Sequence, residues 1–319
     1  MNFAPAYHLR TNKAVERLLF LELLHRLDRV FGELHATSIS DYTYVGLGGP
    51  YLEDFNLIHS TFGNRKMISL ELQKDVLTRQ AVNQPCSQVS LTNLSTRKYV
   101  DDLRLSRTPS IVWLDYSSQA WIEQLAECFD LVPKLAPMSI LKVTLTGNTR
   151  TLGNNVTQRA QKLGEMFADY GPFQTRDVKR ERICGTLFSI FRRSLAEAAP
   201  DTQWRAVRSL VSYEYNDGTP VLTITMVVGP IRTVEAVTEA IERWPFSSVN
   251  WNEPRKIDVP PLSLREKLAV DRLLPDAHPR TVINRLNLRF ADTYEDSIAA
   301  MANYVELYRF VPHFVRMAI

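Results

Sequence analysis

Three glycines, Gly46, Gly48 and Gly49, and two carboxylates, Glu71 and Asp115, are the residues whose types and spacing could do chemistry together. The run Gly46-Leu47-Gly48-Gly49-Pro50 follows a short apolar stretch at 42–47 and precedes a helix-patterned stretch at 52–62. Glycine lets a backbone take torsions that a Cβ forbids and lets it come close to a ligand. A second apolar stretch, 66–71, ends on Glu71. Strand, glycine turn, helix, strand and terminal acid is the layout of a nucleotide-type cofactor site, in which the acid accepts hydrogen bonds from a ribose diol. The expectation is an adenosine-containing ligand.

The elements that must position these groups alternate. Leu18, Leu19, Leu21, Leu23, Leu24, Leu27 and Val30 recur at helical spacing, predicting a helix over 12–35 with Thr11 or Asn12 as its cap. Strands are expected at 42–47, 66–71, 89–93, 111–115 and 139–145, with helices at 52–62, 75–83 and 120–132 between them. Apolar strands alternating with helices predict a parallel sheet covered on both faces, with ligands at the carboxyl ends of its strands. That rule puts Gly46 to Gly49, Glu71, Asn93 and Asp115 on one rim. Helices are expected at 154–170 and 178–199. Two β-rich runs at 206–215 and 221–228 then flank Asn216-Asp217-Gly218-Thr219-Pro220, a hairpin signal. Beyond residue 231 the chain reads as helices and loops. Ser263-Leu264-Arg265-Glu266 forms a capping box, and an aromatic tail spans 304–314.

In this order the features resemble the class I, Rossmann-like S-adenosylmethionine-dependent methyltransferases, over roughly residues 40–230. The glycine run matches that family's motif after the first strand, and Glu71 its ribose-binding acid. Asn93, or its neighbour Ser95, holds the third-strand position that contacts adenine. Asp115 and Tyr116 hold the fourth-strand position that faces the methyl group and acceptor. Tyr7-His8-Leu9-Arg10-Thr11-Asn12-Lys13 and Gly-Gly-Pro-Tyr-Leu-Glu-Asp-Phe are similar to bacterial O-methyltransferases of unassigned substrate. The resemblance implies an α/β fold: a seven-stranded, mostly parallel sheet with an antiparallel closing hairpin, an N-terminal helix and a helical C-terminal extension. The expected division is 1–40 for the helical segment, 41–230 for the methyltransferase domain and 231–319 for the extension. The cofactor would be S-adenosylmethionine, contacted by Gly46, Gly48, Gly49, Glu71, Asn93 and Asp115.

Two departures narrow the chemistry. The glycine motif is G-x-G-G-P, and the fourth strand ends Asp115-Tyr116-Ser117-Ser118 rather than in the Asp/Asn-Pro-Pro-aromatic signature of amino-methylating DNA enzymes. These departures count against amino methylation, and the resemblance to O-methyltransferases implies methyl transfer to an oxygen, with Asp115 as base and Tyr116 beside it. Two alternatives stay open: a catalytically silent binding or scaffold subunit, and a nucleic-acid- or nucleotide-directed methyltransferase. A basic cluster, Arg176, Lys179, Arg180, Arg192 and Arg193, is a candidate for phosphate contacts, although the modest net charge favours reading it as a solvated helix face. The hairpin argues against a third rival, an NAD-using enzyme.

Composition bounds the rest. Apolar residues make up 45% of the 319 and charged residues 23%, a globular composition. A net charge of +3 does not by itself imply a nucleic-acid partner, and nucleic acid is not favoured. Cys86, Cys128 and Cys184 show no zinc spacing, and the six histidines suggest no metal site. No apolar run reaches membrane-spanning length, and the scattered, odd-numbered cysteines fit a reducing compartment, so a soluble, cytoplasmic protein of bacterial or viral type is expected. Its acceptor is unidentified, and a protein partner or homo-oligomer is compatible with it.

Overall fold

The computed structural model describes residues 10–35, 37–104 and 106–312. Tyr7, His8 and Leu9 of the resemblance motif, and the end of the aromatic tail from His313, lie outside the described residues. The chain divides into two compact units, one comprising 23–214 with 219–255, the other 1–22, 215–218 and 256–319.

The larger unit carries the alternating pattern. Helix α1 (Thr11–His35) enters it through its second half. There Phe31 stacks on Tyr42 at 5.9 Å between ring centres, and His25 meets Phe62 at 4.7 Å. Strand β1 (Thr43–Gly46) leads to α2 (Glu53–Phe62), β2 (Lys66–Leu70), α3 (Lys74–Asn83) and β3 (Val89–Thr92). Then come α4 (Thr96–Asp102), β4 (Ser110–Asp115), α5 (Trp121–Leu131) and β5 (Ser139–Thr146). Helices α6 (Val156–Met166) and α7 (Ile183–Ala198) precede the hairpin strands β6 (Ala206–Asn216) and β7 (Pro220–Gly229), and α8 (Ile231–Glu242) follows.

The sheet order is β3-β2-β1-β4-β5-β7-β6-β8, where β8 spans Arg255–Ile257. The strands from β3 to β5 are parallel, and β7 runs antiparallel to β5, with Thr146 opposite Val221. The expected closing hairpin is present. Among the described residues the sheet has eight strands rather than the expected seven, because the three-residue β8 is too short to leave a periodic signal. Helix α4 is also absent from the sequence reading; it is about two turns long, opened by Ser95, whose hydroxyl accepts the Lys98 N–H at 3.1 Å.

The two faces of the sheet differ. Val45, Val112, Leu114, Leu141, Val143, Leu145, Leu222, Ile224 and Met226 share one face with apolar side chains of α5 and α7, including Leu125, Cys128, Leu187 and Phe191. Alternation along the strands sends Tyr44, Trp113, Lys142, Thr144, Thr223 and Thr225 to the other. All six are buried.

In the smaller unit the first turn of α1 is capped by a distant residue. Asp217 accepts the Lys13 N–H at 2.9 Å and the Asn12 amide at 3.0 Å, while Asn12 Oδ1 accepts the Val259 N–H. Helices α9 (Leu264–Asp271), α10 (Pro279–Leu286) and α11 (Tyr294–Leu307) complete it. The capping box at Ser263 and Glu266 forms as expected. Lys267, nearly fully buried, pairs with Asp271 at 2.6 Å, and Tyr304 donates to the same carboxylate.

Candidate active site

The register aligns the carboxyl ends of the parallel strands. Gly46 lies opposite Ser69 on β2 and Trp113 on β4, and Asp115 lies opposite Thr144 on β5. After Gly46 the chain reverses through Gly48 and Gly49, at φ +57° and +54°, and Leu52, at φ +51°. Two successive left-handed residues explain the paired glycines. A Cβ on Gly48 would stand 2.6 Å from Leu52 Cδ2 and 2.9 Å from Ser69 Oγ. The glycine is therefore demanded by the protein's own packing beneath the loop, whatever ligand lies above it.

Helix α3 clamps this loop, which the sequence reading did not foresee. Gln80 is fully buried and donates through Nε2 to the Gly49 carbonyl at 2.9 Å, while its Oε1 accepts the Ser69 hydroxyl at 3.1 Å. Asn83 donates to the Pro50 carbonyl, and Arg79 donates to the Tyr51 hydroxyl with its guanidinium 4.9 Å from that ring. The signal was Gln80's place on the apolar face of its helix. A polar residue there needs both ends of its amide satisfied.

Glu71 directly follows β2 and is partly exposed. Its Oε1 accepts the Gln73 N–H at 2.7 Å. Asn93 stands next to it, with its amide donating to the Glu71 and Leu72 carbonyls, each at 2.9 Å. Asn93 thus holds the backbone that presents Glu71, and Ser95 caps α4.

Asp115 ends β4 half-buried. Tyr116 packs on the core side, and its hydroxyl donates to Glu127 Oε2 on α5 at 2.6 Å. Burial, with Cys128 and Glu127 alongside, pushes the Tyr116 phenol far above its ordinary range. Burial also raises the Glu127 carboxyl. The phenol stays protonated at neutral pH, which makes it a donor and tether. The following loop is held by Gln124, which donates to Ser118 Oγ and to its carbonyl.

Beside Asp115 the sheet carries a buried lysine that the sequence pattern did not single out. Lys142 on β5 is fully buried, its Nζ 3.6 Å from the centre of the Trp113 ring, and Trp113 Nε1 donates to Thr144 Oγ1 at 3.0 Å. A lysine inside the apolar run Ser-Ile-Leu-Lys-Val-Thr-Leu-Thr was its signal.

The basic cluster is divided. Arg176, Lys179 and Arg180 occupy the turns before α7. Arg192 and Arg193 sit in the latter half of α7, roughly 15 Å further along at 1.5 Å per residue. Arg193 donates to the Tyr170 and Asp169 carbonyls. Among the described residues no group of His, Cys, Asp or Glu is arranged to hold a metal, and no helix is long and apolar enough to cross a membrane.

No curated protein matches the chain. Solved structures similar to it include the O-methyltransferase TomG of Streptomyces achromogenes in complex with SAM. TomG is 14% identical, with 67% of this chain and 80% of TomG covered at a TM-score of 0.39. Cofactor-bound Rv0187 from MTB is 9% identical, with coverages of 71% and 83% and a TM-score of 0.38. TYW2 of P. horikoshii in complex with MeSAdo is 13% identical at a TM-score of 0.32. Its match covers 64% of this chain and 62% of TYW2, less than two thirds of that protein. A family model described as "Putative O-methyltransferase" matches residues 5–319, nearly the entire sequence, and the chain belongs to that family.

Proposed function

We propose that the protein is an S-adenosylmethionine-dependent methyltransferase acting on an oxygen of its acceptor. The observation that carries this reading is the glycine loop, fixed from below by Gln80 and flanked on the same rim by Glu71 and Asp115. The donor set fits the cofactor. Glu71 Oε2, beside the oxygen that takes the Gln73 N–H, is the atom offered to a ribose diol, and Gly48 and Gly49 present bare backbone next to it. When bound, the cofactor supplies an electrophilic methyl group on a sulfonium.

The chain's own residues do the rest. Asn93 fixes the Glu71 backbone, so the acid is positioned before any ligand arrives. Asp115 is the base that takes the acceptor hydroxyl's proton as the oxygen attacks. Tyr116 and Gln124 hold the loop after Asp115 in place, which limits loss of alignment during an in-line transfer. We also infer a reducing, cytoplasmic setting. The three cysteines are free, and burial raises the Cys128 thiol and pushes the Cys184 thiol up to about 12.

Calorimetry with S-adenosylmethionine, S-adenosylhomocysteine, NAD and ATP tests the cofactor, and transfer of labelled methyl to nucleic-acid, protein and small-molecule pools tests the reaction. Binding of the first two ligands alone is expected. Cofactor binding without transfer to any pool would support the silent-scaffold reading instead.

A further inference from the structure

The end of strand β5 stands beside Asp115 and carries an exposed basic surface. Gly147, the residue after β5, is so close to α7 that a Cβ on it would lie 2.9 Å from Ile183 Cγ2. Two residues on, Thr149 Oγ1 donates to the Val178 carbonyl at 3.3 Å. These two contacts hold the turn bearing Arg150 against the turns bearing Arg176, Lys179, Arg180 and Arg182. All five side chains are exposed. Asp177 and Glu181 lie among them and leave the surface net positive. Asp177 is also committed to the Gln174 N–H at 2.7 Å, and stands 3.8 Å from Arg176. The 16-residue helix α7 begins at Ile183, so its positive end adds to the same field. The whole chain has a net charge of only +3, so this is a local concentration of charge at the carboxyl end of β5.

We propose that this surface holds the phosphodiester backbone of a nucleic-acid acceptor, whose strand is thereby led to Asp115. The proposal rests on the methyltransferase reading of the rim. Arginine and lysine side chains that neutralise phosphates position a strand without reading its sequence. Each neutralised phosphate releases counterions, so affinity must fall steeply with salt. Arg192 and Arg193, further along α7, are outside this surface.

The test is an anisotropy titration of the full chain with a short fluorescent oligonucleotide of mixed sequence, single-stranded and as a duplex, at several salt concentrations. Three phosphates neutralised give a log–log slope of about −2 to −3. The double reversal Arg176→Glu/Lys179→Glu is expected to weaken binding by about tenfold or more and to flatten the slope by about 1.4 to 1.8. The charge-matched reversal Arg192→Glu/Arg193→Glu is expected to change affinity by no more than about threefold, because distant surface charges are screened. Arg193 also holds two backbone carbonyls. If that pair lowers the melting temperature, Lys179→Glu against Arg192→Glu gives the same comparison with single changes. Equal losses from both sites would show a net-charge effect and overturn the proposal, as would no binding at low salt. S-adenosylhomocysteine binding, measured on the same preparations, separates the two readings. If it persists while the oligonucleotide fails to bind, the methyltransferase reading stands and only the nucleic-acid acceptor is lost.

Discussion

The side-chain amide of Gln80 donates to the carbonyl of Gly49 at 2.9 Å from within a fully buried position on α3. The helix that follows the second strand thereby sets the shape of the loop that follows the first. Its other end takes the Ser69 hydroxyl, so a single side chain ties together β2, α3 and the glycine turn.

Gln80→Leu keeps the volume but orphans a partly buried carbonyl and a buried hydroxyl. Stability is expected to drop by about 1–3 kcal/mol, read by urea denaturation. S-adenosylhomocysteine affinity should fall with it, read by calorimetry well below the midpoint. An unchanged affinity in a folded Gln80→Leu protein would show that the loop keeps its shape without the clamp.

Glu71→Ala is expected to weaken cofactor binding by about 10- to 100-fold, because hydrogen bonds to a charged acceptor contribute about 1.5–3 kcal/mol. Asn93→Ala should produce a smaller loss that disappears when Glu71 is already alanine, since Asn93 acts through the Glu71 backbone. Additive losses in the double variant would mean that Asn93 touches the ligand independently.

Asp115→Asn preserves shape and removes the base. Turnover is expected to fall by about 10²–10⁴-fold with cofactor affinity retained. Single-turnover transfer of labelled methyl to whichever acceptor pool the native protein methylates reads this directly, and native-like rates would remove Asp115 from the mechanism.

Burial raises the Glu127 carboxyl, so the folded state favours its protonated form. A carboxyl raised on folding contributes stability that is fully present below its unfolded pKa of about 4.3 and is lost as pH rises through the folded value. Glu127→Gln should therefore gain on the native protein as pH rises from about 4 to 7, read as the difference in denaturation midpoints. A constant difference across that range would contradict the raised carboxyl.

Asp217→Ala removes the cap of α1 and a hydrogen bond to Asn12. A loss of about 1–2 kcal/mol is expected, the scale of a lost helix N-cap. Asp217→Asn, which keeps an acceptor, should recover much of it. Thermal unfolding of both variants checks the cap.

Local patterning was enough to read the succession of strands and helices along the chain, the glycine reversal, the Asp-Gly hairpin and the Ser263–Glu266 capping box. Each is decided by residues within a few positions of one another: alternation along a strand, a torsion only glycine tolerates, or a side chain reaching its own helix's N–H. Even there, the reason for Gly48 lay elsewhere, in the Leu52 and Ser69 atoms that leave no room for a Cβ.

The placement of Gln80, Asn93 and Lys142, the capping of α1 by Asp217, and the division of the basic cluster between the turns before α7 and the latter half of α7 were decided by the tertiary structure alone. The sequence by itself determined that a glycine turn and two strand-ending acids would share a rim, because parallel strands linked by helices must present their carboxyl ends on one side. It could not determine which buried polar groups would satisfy that rim. Their partners lie on other strands and helices, tens to hundreds of residues away, and a hydrogen bond between them exists only once packing has brought those elements together.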